Sequence, residues 1–258
     1  MVQPSTGAPP DADLIPPAEM LHDGTTTPEQ FTAHSETFAT QVLIPRTHLL
    51  PTAAILDAGC GNGAIARALT RYLFPEGRYV GFDVNQRTID WLQAHYRRFP
   101  NFSFAHANVW SSLYNPDGAR KAADYRFPFE DASFDVVLLN SVFTHMLPAD
   151  VKAYLRQIAR VLKPGGRAAI TYFLLNSDSR PLIEQGRDVH RVRFEYEGDP
   201  RCWVANPKIP EAVVAHDEAR IRGFYAELGM HVLDLSFGDW CGRPTLLGHQ
   251  DLIVAQKG

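Results

Sequence analysis

Short apolar segments alternate with amphipathic stretches along most of the chain, beginning near residue 53. The segments are apolar on both faces, which is typical of central parallel strands. Strands and helices in strict alternation predict a doubly wound α/β sheet with right-handed crossovers. The predicted strands are residues 54–58, 79–83, 102–105, 136–139 and 168–173, and the predicted helices are residues 64–74, 86–98 and 148–162.

The alternation changes near the end of the chain. A predicted helix at 217–228 precedes two apolar segments, at 231–237 and 252–256. The residues between these two segments are too few for a long crossover helix, so the spacing indicates a hairpin. We therefore expect the last strand to run antiparallel to its neighbours.

The start of the ordered chain is indicated by helix-capping residues. Thr27 and Pro28 are typical of an N-cap and a first helical position, and Gln30 completes a capping box. Pro45 is expected to break this helix, and Pro51 to end a second short one.

One domain accounts for nearly the whole chain. Residues 1–26 are rich in proline and poor in large apolar side chains, so we expect a flexible tail there. Residues 27–258 are predicted to form a single domain whose N-terminal cap helix region is 27–50. The segments 110–125 and 174–216 match no element of the repeat, and we interpret them as loop or cap insertions, the second over the substrate.

Composition limits the classes of partner. Lys and Arg number 25 against 29 Asp and Glu, a net charge of −4, which argues against broad binding of nucleic acid. No apolar run approaches the roughly 20 residues of a membrane span, and no secretory signal is visible. Three widely spaced cysteines predict neither a disulfide framework nor a zinc site, so we expect a cytoplasmic protein.

A glycine-rich turn follows the first predicted strand. Gly59 and Gly61 stand at alternate positions after Asp57, and glycine is needed where backbone approaches a ligand closely or takes a positive φ. Asp83 ends the second predicted strand, where a carboxylate can accept hydrogen bonds from both hydroxyls of a ribose. The sequence therefore predicts a nucleoside-bearing ligand across the tips of these strands.

Two kinds of nucleoside ligand fit this turn. Gly59, Gly61 and Ala64 nearly complete the dinucleotide fingerprint, so a nicotinamide-dependent oxidoreductase is one interpretation. Asp57 precedes the first glycine by two residues, where its carboxylate would repel a pyrophosphate and attract an ammonium group. S-adenosylmethionine has a ribose, an adenine and an α-amino group but no phosphate, so it is the favoured cofactor.

Four motifs in order resemble class I S-adenosylmethionine-dependent methyltransferases. The resemblance covers about residues 53–175 and implies a Rossmann-like sheet of seven strands with the last strand antiparallel. The motifs are the glycine turn at 55–63, Gly81-Phe82-Asp83, the segment 127–135 before strand four, and 161–166 with its Lys-Pro-Gly-Gly turn.

The resemblance also implies which residues bind the cofactor. Asp57, Gly59 and Gly61 would line the methionine portion, and Asp83, with Val84 beside it, would bind the ribose. Asn108 would lie near the adenine amine, where the family often has an acid. Asn140 would lie under the methionine end. Gln30 and Phe31 belong to a helix that would close over the cofactor.

His145 is the predicted general base. It follows the fourth strand closely, and ligands of such sheets bind beyond the carboxyl ends of the strands. Imidazole titrates close to neutral pH and is the commonest general base. The alternative is a histidine that only packs under the cofactor or caps the next helix. No metal-ligand motif is visible, although a weakly held Mg²⁺ would leave none.

The predicted acceptor is a hydroxyl of a sugar or small glycan. The segment 174–216 is both polar and aromatic, and residues 240–256 are similar to methyltransferases of sugar and glycan pathways, including those acting on methylmannose polysaccharides. Arginines 187 to 193 could equally meet a phosphate. The candidate substrate residues are Tyr172, Tyr196, Trp203, Trp240 and His249.

Several functions stay open at this point. N- or C-methylation of a small metabolite, natural product or lipid precursor is the main alternative to O-methylation. A reductase or a cofactor-binding protein without catalysis belongs to another class. The expected partner is a small-molecule or oligosaccharide acceptor, with no nucleic acid and no membrane, and the sequence leaves the oligomeric state undetermined.

Overall fold

Eleven strands and seven α-helices make up the computed structural model, which describes residues 11–21, 26–245 and 248–258. The strands are β1 (Ala54–Ala58), β2 (Arg78–Asp83), β3 (Phe102–His106), β4 (Phe134–Leu139), β5 (Leu162–Tyr172), β6 (Leu174–Leu175), β7 (Phe194–Tyr196), β8 (Asp199–Val204), β9 (Val214–Asp217), β10 (Met230–Ser236) and β11 (Asp251–Lys257). The helices are α1 (Pro28–Thr37), α2 (Ile44–Thr47), α3 (Ala64–Leu69), α4 (Gln86–His95), α5 (Pro148–Val161), α6 (Ser179–Glu184) and α7 (Glu218–Glu227).

Seven of the strands form one mixed sheet in the order β10-β11-β5-β4-β1-β2-β3. β11 is antiparallel to both β5 and β10, whereas β1 to β5 pair in parallel. This arrangement confirms the predicted fold class, including the reversed last strand. The order changes direction at β1, which lies between β2 and β4, and such a switch point opens a crevice at the carboxyl ends of the strands.

Helices cover both faces of this sheet because its strands are apolar on both sides. Leu56 and Val137 belong to the apolar cluster on one face, where α5 packs with Leu155 and Ile158. Ile55 belongs to the cluster on the other face. No helix in the described part of the chain is both long and apolar enough to cross a membrane.

The Lys-Pro-Gly-Gly turn lies within β5 in the structure and not before it. Phe134 pairs with Leu162, and the register then shifts so that Val136 pairs with Arg167. The extra residues form an irregularity around Gly165, which has a φ of +76°. The strand therefore starts earlier than the predicted 168, while the adjoining end of α5 agrees with the prediction.

The N-terminal helix begins as predicted, but Pro45 does not break it. The Thr27 hydroxyl accepts a hydrogen bond from the Gln30 amide. A π-helical segment, Phe38–Leu43, follows α1, and Pro45 lies in the first turn of α2. The backbone before the proline is already helical, since Leu43 is in the αR region and the Ile44 amide donates to the Ala39 carbonyl, and the helical path continues to residue 47.

The described part of the predicted tail, residues 11–21, packs against the domain. Leu14 is fully buried. Asp11 forms ion pairs with Arg67 and Arg71, both from the region of α3. A flexible tail was expected because the segment is proline-rich, but the buried side chains of Leu14 and Met20 and the ion pairs of Asp11 hold it against the domain. Residues 1–10 and 22–25 of the predicted tail lie outside the described residues.

The insertion at 174–216 has a small sheet of its own, in the order β6-β9-β8-β7. The sequence indicated only loop or cap structure, because these strands are short and interrupted. The sheet and α6 form a cap attached to the end of β5, and we call residues 174–216 the cap.

Candidate functional site

The glycine turn after β1 has the backbone geometry that a closely approaching ligand requires. Gly59, Gly61 and Gly63 have φ values of +93°, +49° and +81°, a region that favours glycine. A Cβ atom on Gly59 would lie 2.4 Å from Val142 Cγ2. The Gly59 amide also donates to the Phe82 carbonyl at 2.8 Å, so the turn is fixed against β2.

Asp57 is a buried carboxylate beneath this turn. It is only 2% exposed, and the Tyr79 hydroxyl donates to its Oδ2 at 2.6 Å. Burial raises the pKa of Asp57 to about 7, with a smaller contribution from the charge of Asp83, while the Tyr79 hydrogen bond opposes the increase. Its charge is therefore poised near neutral pH, and a cationic ligand group would favour the ionised form.

Asp83 is positioned at the carboxyl end of β2 by two backbone amides. Its Oδ2 accepts from the Gly61 amide and its Oδ1 from the Asn85 amide, both at 2.9 Å. The side chain thus links the glycine turn to β2 and presents oxygen atoms in the crevice.

Two cavities meet at the glycine turn. The first has a volume of about 700 Å³ and includes Asp83 and His145, and the second has about 640 Å³ and includes Asp57 and His34. Both are lined by Gly59, Gly61, Asn140 and Ser141.

His145 lines the first cavity with one ring nitrogen already engaged. Its Nδ1 lies 3.0 Å from the backbone carbonyl oxygen of Glu211. A carbonyl oxygen only accepts, so Nδ1 carries the proton, and in the neutral ring Nε2 carries the lone pair. The Tyr114 ring meets the imidazole edge-on, with the centroids 5.8 Å apart. The cap, through Glu211, therefore fixes the tautomer that a general base needs.

The structure brings most of the predicted cofactor residues to these cavities. Val84 lines the first cavity, and Phe31, which is 1% exposed, lines the second. Asn108 lines neither cavity, and its Oδ1 accepts from the Ala119 amide at 3.1 Å. Gln30 is exposed and accepts from the Thr26 amide at 2.9 Å, because its capping role turns the side chain toward the helix start.

Most of the predicted substrate residues pack away from the two cavities. The Tyr172 and Tyr225 hydroxyls are hydrogen-bonded at 2.8 Å, and both residues are fully buried. Trp240 is also fully buried and donates from Nε1 to Asp251 at 2.8 Å. His249 does line the second cavity.

Two further predicted substrate residues belong to the cap. Trp203 stacks under the Arg180 guanidinium, 4.9 Å from the ring centroid. Tyr196 packs beside the apolar cluster that contains Cys202. Neither residue lines either cavity, so no aromatic platform for a sugar is assembled from the predicted set.

Several lining residues of the first cavity were not predicted, among them two aromatic residues and one acid. Trp110 and Tyr114 come from the insertion after β3, and Glu211 comes from the cap. The Glu211 Oε2 also accepts from the Ser112 hydroxyl at 3.3 Å, which joins the two insertions. The position of residues 110–125 directly after a strand tip could have indicated the first two, whereas Glu211 has no local signal.

The described residues contain no group of three or more His, Cys, Asp or Glu side chains arranged to hold a metal ion. Asp57 is instead hydrogen-bonded to the Tyr79 hydroxyl, Asp83 to backbone amides, and His145 to a backbone carbonyl.

Sequence comparison relates this region to methyltransferases. A family model for a methyltransferase domain matches residues 56–170. An uncharacterized methyltransferase of Schizosaccharomyces pombe is 32% identical over 51% of this chain and 42% of its own length. A phthiotriol/phenolphthiotriol dimycocerosates methyltransferase of Mycobacterium ulcerans is 33% identical over 50% and 39%. A 2-phytyl-1,4-naphtoquinone methyltransferase of Synechococcus elongatus is 30% identical over 56% and 55%. The chain therefore spans about half or less of these curated relatives.

Solved structures share the fold over a longer stretch. A protein of Pyrococcus horikoshii superposes with a TM-score of 0.60 and 19% identity, covering 89% of this chain and 92% of its own. The 1,6-didemethyltoxoflavin-N1-methyltransferase of Burkholderia thailandensis, solved with S-adenosylhomocysteine, superposes with a TM-score of 0.55 and 17% identity, covering 86% and 78%. Residues 56–170 thus match a methyltransferase domain. With the reversed strand, the glycine turn and the two acids in place, the chain has the class I methyltransferase fold.

Proposed function

We propose that the chain transfers a methyl group from S-adenosylmethionine to a hydroxyl of a small-molecule acceptor, with His145 as the general base. The observation that carries this proposal is the tautomer of His145. Its Nδ1–H is held by the Glu211 carbonyl, and the ring lines the same cavity as Gly59 and Asp83. A base is needed for a hydroxyl acceptor, because the oxygen must lose its proton as it gains the methyl group.

The residues at the meeting point of the cavities fit the cofactor. Gly59 lines both cavities with backbone atoms alone, and its φ of +93° disfavours any residue with a side chain there. Asp83 provides carboxylate oxygens for ribose hydroxyls. Asp57, in the second cavity, provides a charge that attracts the ammonium group of the methionine portion. When bound, S-adenosylmethionine supplies the methyl group, whose bond to sulfur breaks as the bond to the acceptor oxygen forms.

Residues of the chain then accept the proton that the hydroxyl loses. The acceptor hydroxyl gives its proton to His145 Nε2, which becomes an imidazolium. The Glu211 carbonyl stabilises that cation through Nδ1–H, since a hydrogen bond from a charged donor is about twice as strong as a neutral one. The packing of Tyr114 against the ring holds the imidazole in place.

An acceptor with a largely apolar body fits the first cavity best. Met146, Leu147 and Tyr154 line it near His145, and Trp110 and Tyr114, 42% and 38% exposed, extend this apolar surface to the outside. The names of two relatives include a dimycocerosate and a phytyl-naphthoquinone, both with large apolar parts. The saccharide hydroxyl predicted from the sequence has less support, because Tyr172, Trp203 and Trp240 do not line the cavity.

Replacement of His145 tests the role of the base. We expect His145→Ala to lower turnover by about 10²–10⁴-fold, while the dissociation constant for S-adenosylhomocysteine, measured by calorimetry, stays within about twofold. His231→Ala, at an exposed position of β10, is the matched control and should keep full activity. The assay measures S-adenosylhomocysteine release over hydroxylated lipids, prenylated quinols and saccharides.

Two results would revise the proposal. An unchanged rate in His145→Ala would remove this residue from the mechanism. At saturating cofactor, a turnover number that does not vary with pH around neutrality would favour N- or C-methylation, in which the imidazole only orients the acceptor.

A further inference from the structure

A groove on the cap is lined by three arginines. It has a volume of about 810 Å³, and Arg187, Arg191 and Arg193 contribute to its walls together with Asp188 and Ala205. All three arginines are exposed. None of these side chains lines either cavity of the methyltransferase site, so the groove is a separate feature of the molecule.

The loop that carries the arginines is held in one conformation by its backbone. The Val189 amide donates to the Trp240 carbonyl and the Arg193 amide to the Val204 carbonyl, both at 3.2 Å. Val192, between the arginines, is fully buried. Because the loop is anchored on both sides, ordering its backbone costs little conformational entropy when a ligand binds, which favours affinity.

The groove carries an excess of positive charge. Within the described residues, none of the three guanidinium groups forms an ion pair, and the Arg187 Nη2 donates to the backbone carbonyl of Gly242. Asp188 is the acid among the lining residues, but it is 4% exposed and its Oδ2 already accepts from the Val192 amide at 2.7 Å. Because the whole chain has a net charge of −4, this local excess is not a general property of its surface.

We propose that this groove binds a phosphoryl group. Guanidinium groups present planar forks of N–H donors that match phosphate oxygens, and several around one anion give bidentate contacts that lysine cannot make. Val189 and Phe194, 67% and 48% exposed, also line the groove and would contact the apolar remainder of the ligand. A soluble phosphate ester and an anionic lipid headgroup offer the same chemistry. The site does not depend on the proposed methyl transfer.

Binding of phosphates to the whole protein tests this site. Glycerol 3-phosphate is titrated by calorimetry at about 150 mM NaCl, where long-range charge effects are screened. Vesicles of phosphatidylcholine, with and without phosphatidic acid, are co-sedimented under the same conditions. We expect saturable binding of at least one phosphate probe and a loss of at least about tenfold in the triple variant Arg187→Gln, Arg191→Gln, Arg193→Gln.

A second triple variant is the control, because it removes three positive charges outside the groove. Arg97, Arg126 and Arg222 are exposed and lie outside the groove, and their replacement by Gln should leave phosphate binding within about twofold. Should the groove triple fail to fold, the double variant Arg191→Gln, Arg193→Gln provides the same comparison. The proposal is overturned if neither probe binds saturably, or if both triple variants weaken binding equally. Binding of the ester assigns the site to soluble phosphates, and binding of vesicles alone assigns it to lipid headgroups.

Discussion

Tyr79 and Asp57 form a buried hydrogen bond in which the phenol oxygen lies 2.6 Å from the carboxylate Oδ2. The Tyr79 ring is held in turn by Phe102, with their centroids 5.2 Å apart. The carboxylate under the glycine turn is therefore kept in an apolar environment by an aromatic group that supplies one donor. This explains why the pKa of Asp57 is about 7, since burial outweighs a single hydrogen bond.

Cofactor binding should depend on the ionisation of Asp57. Under the proposed function, the carboxylate would attract the ammonium group of the cofactor only when ionised, so affinity for S-adenosylhomocysteine should fall as the pH is lowered through about 7. Tyr79→Phe removes a hydrogen bond that lowers the pKa, and should move this dependence to higher pH. Calorimetry from about pH 6 to pH 9 measures both effects. Affinity that is constant over this range in both proteins would show that the charge of Asp57 does not contribute.

The same burial should make Asp57 unfavourable for folding at high pH. Its pKa is raised in the folded state, so the folded protein holds the proton more tightly than the unfolded chain does. The proton on Asp57 stabilises the folded state at low pH. The free energy of unfolding should therefore decrease as the pH rises from about 4 to above 7. Asp57→Asn removes the titration, and we expect the variant to be more stable than the parent at pH 9 while binding the cofactor more weakly. Urea unfolding at pH 5 and pH 9 gives the comparison.

The features that the sequence predicted are local ones. The strand at 54–58 and the acids Asp57 and Asp83 follow from apolar runs and from spacing along a few residues. The π-helical segment before Pro45 was not predicted, because the spacing of apolar residues does not distinguish one π-helical turn from the α-helix around it.

The parts of the site that were missed depend on contacts distant in sequence. Glu211 reaches His145 across 66 residues, and it does so through a backbone carbonyl that any residue type would supply. Tyr172 and Trp240 are aromatic residues near the site in sequence. In the structure both are buried, and they form hydrogen bonds with Tyr225 and Asp251, respectively. Composition could identify the aromatic residues but not their partners.

The ion pair between Arg67 and Asp11 should contribute strongly to stability. Their side chains are 1% and 6% exposed, and removing one partner of a buried pair costs about 3–5 kcal/mol because the other charge is left in the interior. Glu36 also contacts Arg67, at 3.3 Å, so we expect the lower end of this range for Asp11→Asn. Denaturant unfolding at pH 7 measures the loss.

Asp13 provides a matched control for Asp11. It pairs with Arg98 in the same segment, but both side chains are about half exposed. Asp13→Asn should therefore change the free energy of unfolding by less than about 1 kcal/mol. Equal effects of the two substitutions would mean that burial of the Arg67 pair is not what fixes residues 11–21.

His190 should make the protein sensitive to acid, because its pKa is lowered in the folded state. The Nε2 atoms of His190 and His249 are 2.7 Å apart, so a single proton lies between them, and Asp239 accepts from His249 Nδ1 at 2.8 Å. Burial lowers the pKa of His190, helped by the charges of His249 and His145 and opposed by Asp188. The unfolded chain thus binds this proton more readily, and stability should fall as the pH drops below about 6.5.

His190→Phe tests this sensitivity. Phenylalanine keeps the contact with the Phe173 ring, whose centroid is 4.6 Å from the imidazole, but it cannot titrate. We expect the difference in unfolding free energy between pH 7.5 and pH 5.5 to be smaller in the variant than in the parent. An unchanged difference would assign the acid sensitivity to other groups.

Tyr172 should behave as a structural residue and not as part of the acceptor site. Its hydroxyl and that of Tyr225 are each other's partners in the interior, so Tyr172→Phe leaves one buried hydroxyl unsatisfied at a cost of about 1–3 kcal/mol. The double variant Tyr172→Phe, Tyr225→Phe removes both hydroxyls and should recover part of that loss. The KM for the acceptor should stay within about twofold in both variants. A rise in KM of about tenfold with unchanged stability would instead mean that the Tyr172 hydroxyl binds the acceptor, and that the interior around β5 opens during catalysis.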